Sequence, residues 1–487
     1  MKKTRIVAAI VILGIAAWAG TAWYTGQRVE DEIRSYVEQL DEQGAIGQLR
    51  ISSYERGLFS STVRYSLTTD YLPLPGGLVQ PGDEIGFISE VGHGPFPWVR
   101  LRNAEFAPVL AATRSTLENN GPVARWFAAA GGEQPMQEQS SIHYDGHVDF
   151  SLRFAPLVIE EPELEFESTE ALITGRTDTS LDVLKFTGAL DTVRMRTRLS
   201  EAAGAEPDSL ALQGLTFEAD SRIGKFDVYL GQAKAGIKKL SLDATDNDGR
   251  ALNIVLNDYL ITSGVSEDET HVSGNLEYGI GTVQISNVDL GSLQALVRFG
   301  HLDGQALKDI MARYRELTPQ LMAEMANHPA DSDDLPPLLA SFLDDSLKAL
   351  LPGEPTFGLD PLRWSLSGAE SSLRLNALLQ QVPDTDDLLR TVRSVDAALV
   401  VSQHMVVELL TRLAQMPGST ETLTAEQAAD AARLSFGLFK QMALATGYVV
   451  AEGDNLVARV SYADGQVKLN GAQIPLEELL RGLPVAR

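Results

Sequence analysis

An apolar residue at every second position constrains the fold of this chain more than any other feature of its sequence. From Ile142 to Phe154 the even positions are apolar, aromatic or glycine, and the odd positions carry His, Asp, Ser or Arg. One apolar and one polar face are typical of a half-buried strand, here about 43 Å long. A hairpin at Asp145-Gly146 is the alternative. We favour one strand, because a two-residue turn would break the alternation.

The same alternation recurs between Ile51 and about Val288, with turn-forming residues such as Ser263-Gly264 between the runs. The apolar sets are Leu164/Phe166, Val193/Met195/Leu199, Leu210/Leu212, Leu240/Leu242, Leu252/Ile254/Leu256, Leu276/Tyr278 and Val283/Ile285. Long one-sided strands in succession predict an antiparallel sheet with one apolar face. Helices, a second sheet, another subunit or lipid must cover that face.

A helical period replaces the alternation near the N-terminus, after residue 290 and in parts of the C-terminal region. Thr424 and Gln427 form a capping-box pattern before a helix that we expect to end near Thr446. The polar residues 327–337 predict a loop. Apolar residues at helical spacing are Val29, Ile33, Val37 and Leu40, then Leu293, Leu296, Val297, Leu307, Ile310, Met311 and Tyr314. In the helix after Thr424, the expected inward positions are Ala428, Ala432, Phe436, Phe439 and Leu444.

The N-terminus carries an uncharged apolar run from Ile6 to Tyr24 behind Lys2, Lys3 and Arg5. As a helix this run spans about 28 Å, close to the hydrocarbon thickness of a bilayer. The basic residues favour a cytoplasmic N-terminus, so the rest of the chain is expected on the far side of the membrane. A cleaved signal peptide is the alternative, but the length of the run favours a retained anchor.

These patterns predict an α+β fold: an extended, mostly antiparallel long-stranded sheet with a helical segment and a C-terminal α+β part, after one N-terminal transmembrane helix. The expected segments are 1–5 as a cytoplasmic tip, 6–24 as the anchor, 25–290 as a membrane-proximal helix and long antiparallel β region, 291–355 as a helical segment and 356–487 as a C-terminal α+β region.

Composition excludes several functions. A formal net charge of −26 argues against nucleic acid as a partner, because phosphate binding needs a basic surface. The absence of cysteine excludes disulfides, thiol catalysis and cysteine-ligated metals. The sequence also lacks the G-x-S-x-G, H-E-x-x-H, Walker and G-x-G-x-x-G signatures. We therefore expect a protein without catalytic residues or cofactor.

Several segments resemble one family of bacterial envelope proteins. They are WYTGQRVE from Trp23, ISSYERGLFSSTVRYSL from Ile51, VGHGPFP around His93, NVDLGSLQALVRF from Asn287, and GYVVAEGDNLVARVSYADGQVKLNGAQIP near the C-terminus. Together they are similar to the YdgA/YihF-like family, which carries a domain of unknown function. The resemblance implies an inner-membrane protein of a Gram-negative bacterium with its body in the periplasm, and it supplies no catalytic residue.

Two of these segments contain candidate functional residues, namely Tyr54, Arg56, Gly57, Phe59, His93, Gly94 and Pro95. We expect Gly57 in a turn conformation closed to other residues, and His93 free to titrate near neutral pH. A docking surface near the membrane or a binding loop is one interpretation. A structural corner and a loop-closing histidine are the interpretation we favour.

One arrangement resembles a metal site: His143, Asp145, His147 and Asp149 alternate along the predicted strand and would share one face. Two histidines two positions apart can bind one ion. A polar strand face carries such residues without a metal, so we expect none. These four residues are the candidates if a metal binds.

We expect a non-enzymatic periplasmic envelope protein that offers a long β surface or groove to a hydrophobic ligand, such as lipid, or to an envelope partner. The candidate groove residues are Val148, Phe150, Leu152 and Phe154. An interaction scaffold or homo-oligomer without lipid is one alternative. A cell-wall or glycan hydrolase with two facing carboxylates is another.

Overall fold

The computed structural model describes residues 24–31, 33–35, 37–38, 48–69, 82–162, 164–197, 208–245, 251–327, 335–382, 388–416, 423–463 and 465–482. Apart from Tyr24, the predicted anchor 6–24 lies outside them, as do residues 328–334 of the predicted loop. Within the described ranges, no helix combines the length and the apolar character needed to cross a membrane.

Antiparallel strands form most of the described structure, which confirms the α+β class. Their bounds are β1 Gln48–Arg56, β2 Ser60–Thr69, β3 Asp83–His93, β4 Ala111–Leu117, β5 Met136–Ile142, β6 His147–Phe154, β7 Leu157–Glu161, β8 Leu164–Ser168, β9 Ala171–Asp178, β10 Val183–Thr197, β11 Asp208–Ile223, β12 Tyr229–Thr245, β13 Ala251–Glu267, β14 His271–Ile285, β15 Val288–Asp289, β16 Ser292–Asp303, β17 Thr356–Leu366, β18 Ala369–Leu379, β19 Val392–Val401, β20 Val450–Glu452, β21 Asn455–Ala463, β22 Gln466–Leu469 and β23 Ala472–Ile474.

Helices connect or cover these strands. Residues 24–31, 33–35 and 37–38 are helical and are called α1. The others are α2 Trp98–Leu101, α3 Ala124–Ala129, α4 Gly304–Asn327, α5 Pro337–Leu350, α6 Leu388–Thr391, α7 Gln403–Ala414, α8 Ala425–Ala445 and α9 Leu476–Gly482.

The chain divides into two compact units. The first comprises residues 1–193, 216–223 and 313–331, and the second comprises 194–215, 224–312 and 332–487. In the first unit, β1 to β6 pair in sequence, and β6 then pairs with β9, which pairs with β10. Two small cores form on this sheet. Val29 of α1 is buried with Val63 and Val91, and Phe127 of α3 is buried with Ile85.

The sheet of the second unit runs in the order β12, β13, β14, β16, β17, β18, β19, β21, β22 and β23. β15 pairs with β14, and β20 pairs with β21. Nearly every connection is therefore between neighbouring antiparallel strands, as the sequence predicts.

Two elements differ from prediction. Leu293, Leu296 and Val297 lie in β16 rather than in a helix. This strand pairs with β14 and β17, and Leu293, Ala295, Val297 and Phe299 alternate along one of its faces. Leu296 lies on the other face and creates the helix-like spacing. Ser263-Gly264 is not a turn but lies inside β13, because β12 and β14 supply hydrogen-bond partners on both edges.

The predicted helix after Thr424 is confirmed, capping box included. Ala428, Ala432 and Phe436 are buried as expected. Phe439 and Leu444, predicted inward, are 54% and 37% exposed. The buried stripe of α8 therefore ends near the middle of the helix, at Phe436.

Candidate functional site

The second unit carries a continuous apolar face. Directly paired residues of antiparallel strands point to the same side, so the register groups them. The rows across the sheet are Ile237–Tyr259–Ile280–Leu293–Trp364, Ala235–Ile261–Tyr278–Ala295–Leu362–Leu373–Leu399–Ala458, Leu276–Val297–Leu359–Leu375–Ala397–Val460 and Phe299–Phe357–Ala377–Val395–Tyr462. We call these residues the unit-2 apolar face.

Large side chains of the unit-2 apolar face stay accessible to solvent. Phe357 and Trp364 are 37% exposed, Leu399 is 40% exposed and Leu375 is 41% exposed. Fully burying one such side chain contributes about 1.5–3 kcal/mol, so each leaves part of that free energy unrealised. A contiguous exposed apolar surface of this kind is typical of a binding surface.

The opposite side of the same strands is polar. Asp360 accepts contacts from Arg298 Nη1 at 3.4 Å and from Arg374 Nε at 3.2 Å. A cavity of about 510 Å³ at these strands is lined by Gly358 and Asn376 and also by Phe357 and Tyr462 of the unit-2 apolar face. Among its described lining residues, Asp396 is the one carboxylate. A glycosidase needs two facing carboxylates, so this cavity lacks the arrangement that the hydrolase alternative requires.

Helix α7 is fixed at one end of the unit-2 apolar face. Arg412 donates to the carbonyl of Asp289 at 2.7 Å and to Ser367 Oγ at 2.8 Å. Arg412 also forms ion pairs with the carboxylates of Glu408 and Asp289. Hydrogen bonds to these carboxylates, the one to Glu408 having the larger effect, raise the pKa of the guanidinium. Beside it, Trp364 Nε1 donates to the carbonyl of Leu290 at 2.7 Å. These contacts hold the turn of the β17–β18 hairpin against the helix.

The residues predicted to form the groove lie in the first unit. Val148, Phe150, Leu152 and Phe154 are half-buried and share one face of β6. Their partners on β9 include Ile173 and Gly175, and Gly175 pairs with Phe186 of β10. The predicted face therefore exists in the first unit. Of the unit-2 apolar face, Leu276 and Tyr278 were assigned to an apolar strand face from the sequence. In β17, Asp360-Pro361 interrupts the alternation between Leu359 and Leu362.

The single strand predicted from Ile142 to Phe154 is wrong. β5 ends at Ile142 and β6 begins at His147, so the chain forms a hairpin with Ile142 paired to Val148. His143 N donates to the carbonyl of His147 at 2.8 Å. Three residues separate that pair, with Gly146 at φ 89°. Because the number of residues in the turn is odd, even-numbered residues of β5 pair with even-numbered residues of β6. The apolar side chains therefore stay on one face, and the alternation continues through the turn.

The hairpin brings the candidate metal-binding side chains together across the turn instead of along a strand. The imidazole rings of His143 and His147 stack with centroids 3.9 Å apart. Asp149 Oδ2 lies 3.1 Å from His143 Nε2 and 3.8 Å from His147 Nε2. Asp145 sits farther out, where its carboxylate contacts His147 Nδ1.

Electrostatics at the hairpin favour a neutral imidazole at His143 and ionised carboxylates at Asp145 and Asp149. Burial, followed by the charge of His147, lowers the pKa of His143. The hydrogen bond from Arg176 Nε to Asp149 Oδ1, 2.7 Å long, lowers the pKa of Asp149. A hydrogen bond from the backbone of His147 lowers the pKa of Asp145.

Residues of three family segments meet at His93, which is buried, with 2% of its surface exposed. Its Nε2 lies 3.4 Å from Ser61 Oγ, and its backbone N donates to the carbonyl of Phe59 at 3.0 Å. Gly26 of α1 lies against the same imidazole. The structure thus supports a loop-closing histidine with backbone and side-chain partners.

The other motif residues surround this core. Gly57 is not in the left-handed region; a side chain there is excluded because a β-carbon would lie 2.7 Å from the Ser60 carbonyl oxygen. Arg56 pairs with Glu30 of α1 at 3.5 Å, and burial raises the pKa of Tyr54. In the loop after β3, Gly94 N donates to Leu110 O and Pro95 O accepts from Val109 N.

Comparison with known proteins gives relatives without an assigned activity. "Protein YdgA" of Escherichia coli K12 is 27% identical over 99% of this chain and 96% of its own length. "Uncharacterized protein YihF" of the same strain is 19% identical over 98% and 97%. An "Uncharacterized protein" of Haemophilus influenzae is 23% identical over 64% of this chain and 85% of its own length.

No solved structure matches the chain. The family described as "Bacterial protein of unknown function (DUF945)" matches residues 1–477. The resemblance read from the segments is therefore confirmed, and the chain belongs to the DUF945 family.

Proposed function

We propose that this chain is a non-enzymatic periplasmic protein, anchored in the inner membrane by residues 6–24, that holds the acyl chains of lipid on the unit-2 apolar face. The observation that carries the proposal is the row structure of that face, in which Trp364, Leu375 and Leu399 remain 37–41% exposed.

The chemistry of the face fits an acyl chain. The backbone groups of paired strands satisfy one another, so a sheet face presents its side chains and few unpaired polar atoms. The net charge of −26 disfavours flat adhesion to anionic headgroups. Burial of the acyl chain against the unit-2 apolar face then supplies the binding free energy, at roughly 25 cal/mol per Å² of apolar area removed from water.

Exposed aromatic residues of the first unit support a position at the membrane surface. Phe59, Phe96 and Trp98 are 38%, 41% and 70% exposed, and they line one cavity with His93. The described chain begins close by, at Tyr24, which precedes the Gly26–His93 contact. Aromatic side chains favour the membrane–water interface, so we place this end against the bilayer.

Site-specific photocrosslinking in cells tests the lipid proposal in the full chain. The photoreactive amino acid p-benzoylphenylalanine replaces Trp364, Leu375 or Leu399, and phospholipid is labelled with ³²P. Matched controls carry it on the polar side of the same strands, at Arg363 and Asn376. Label at the first set alone supports the proposal. Label at neither set, with crosslinks to protein instead, contradicts it and favours the scaffold alternative.

A second candidate function, self-association, is supported by α8. Leu434, Leu438 and Met442 recur every four residues and are 68%, 56% and 71% exposed. They form an apolar stripe on the helix surface, on the side away from buried Ala432 and Phe436. A second copy of this chain presents the same stripe, as a two-fold dimer requires.

A further inference from the structure

We propose that the β5–β6 hairpin binds one divalent transition-metal ion through His143 Nε2, His147 Nε2 and Asp149 Oδ2. One ligand atom from each of these three residues lies within 4.8 Å of the other two. Two imidazoles and one carboxylate are a ligand set typical of Zn²⁺.

Two of the three distances between the ligand atoms are close to those around a tetrahedral ion. Bonds of about 2.0–2.1 Å at tetrahedral angles place two ligand atoms roughly 3.3 Å apart. The Asp149 Oδ2 distances to His143 Nε2 and His147 Nε2, 3.1 and 3.8 Å, bracket that separation. His143 Nε2 is also buried without an aligned hydrogen bond, although Asp149 is close. The fourth position of the ion is left to water or to a ligand.

Neighbouring groups orient the ligands. Asp145 contacts Nδ1 of His147, which leaves Nε2 to bind the ion. Arg176 Nε donates a hydrogen bond of 2.7 Å to Oδ1 of Asp149, so Oδ2 remains available to the ion. Partners of this kind fix the tautomer of a metal-binding histidine and the direction of a carboxylate.

The charges around the hairpin are mixed. Asp145 and Asp149 attract a cation, whereas Arg176 and Arg100 oppose it, and Arg100 is itself paired with Glu105 at 3.0 Å. The imidazole planes lie 13° from parallel, so both rings must rotate to direct their lone pairs at one ion. We therefore expect the ion to change the geometry of the two rings.

Titration of the purified full-length protein in detergent micelles with ZnCl₂ tests the proposal, and Co²⁺ serves as a spectroscopic probe. We expect one ion per chain and the visible absorption of four-coordinate cobalt. The double variant His143→Ala/His147→Ala should lose both signals. Asp145→Asn, which keeps the three ligands, should weaken binding by about 10–100-fold.

The matched control removes another histidine pair. His271 and His301 have ring centroids 5.2 Å apart, and His271 lies 3.7 Å from Asp268. His271→Ala/His301→Ala should bind zinc as the unaltered protein does, and circular dichroism checks the fold of both double variants. Absence of stoichiometric binding to the unaltered protein, or equal binding by the His143/His147 variant, overturns the proposal.

Discussion

Gly26 of α1 lies directly against the imidazole of His93. A β-carbon at Gly26 would lie 2.9 Å from Cε1 of the ring, closer than such contacts allow. His93 is almost fully buried and sits at the end of β3, so it cannot move aside into solvent. The pair therefore joins the first described helix to the sheet of the first unit.

Gly26→Ala should destabilise the first unit by about 1–3 kcal/mol through this overlap. Alanine is a better helix former than glycine, so helix propensity alone would give the opposite sign. Urea unfolding of the full chain measures the change. Gln27→Ala, at an exposed neighbour, should stay within about 0.5 kcal/mol. Equal effects of the two variants would contradict the contact.

Trp364→Phe removes the hydrogen bond to the carbonyl of Leu290 but keeps an aromatic ring on the unit-2 apolar face. Leu290 is 6% exposed, so its carbonyl loses a partner that water cannot readily replace. We expect a loss of about 1–3 kcal/mol in unfolding free energy. Trp98→Phe is the control, because that side chain is 70% exposed and should change stability little.

Acidification should destabilise the β5–β6 hairpin. The pKa of His143 is lowered in the folded chain, so the unfolded chain binds the proton more readily. Stability is then fully present above the unfolded pKa of about 6.5 and is lost as the pH falls through the lower folded value. For one proton the slope is at most about 1.4 kcal/mol per pH unit.

Urea unfolding midpoints between pH 7.5 and pH 5, measured without added metal, check this dependence. His143→Gln should flatten the pH profile, whereas His404→Gln, at an exposed position in α7, should leave it unchanged. A profile that remains as steep in His143→Gln would show that other groups cause it.

If α8 mediates self-association, Leu438→Glu should convert the oligomer to monomer. The change places a charge in the middle of the exposed stripe, where burial against a second copy would leave it unpaired. Sedimentation velocity in detergent measures the mass. Arg433→Glu introduces the same side chain at an exposed polar position outside the stripe and should leave the mass unchanged. A monomeric unaltered protein would exclude this interface.

Much of the fold follows from local patterns. The first part of β13 and both parts of β14 were predicted from their alternating apolar residues, and the start of α8 from Thr424 and Gln427. These patterns involve residues that are close in the sequence, so the structure they predict does not depend on distant contacts. β16 was missed because Leu296 interrupts the alternation, so that Leu293, Leu296 and Val297 recur at the spacing of a helix.

The candidate sites were only partly predictable. His143, His147 and Asp149 were identified from the sequence, but on a single strand rather than around a turn. The unit-2 apolar face depends on register between strands as far apart as β14 and β16, or β19 and β21. Register of this kind is set by pairing across the sheet, so no short stretch of sequence reveals it.

By itself, the sequence determined the family, the acidic composition, the period of the long strands and the absence of cysteine chemistry. Tertiary structure alone decided that His93 is buried against Gly26, that two histidines stack across a hairpin, and that Trp364 and Leu399 lie on one exposed face. The reason is physical. Composition and hydrophobic period can be read from the linear sequence. Burial and side-chain contacts depend on which distant residues the sheet register brings together.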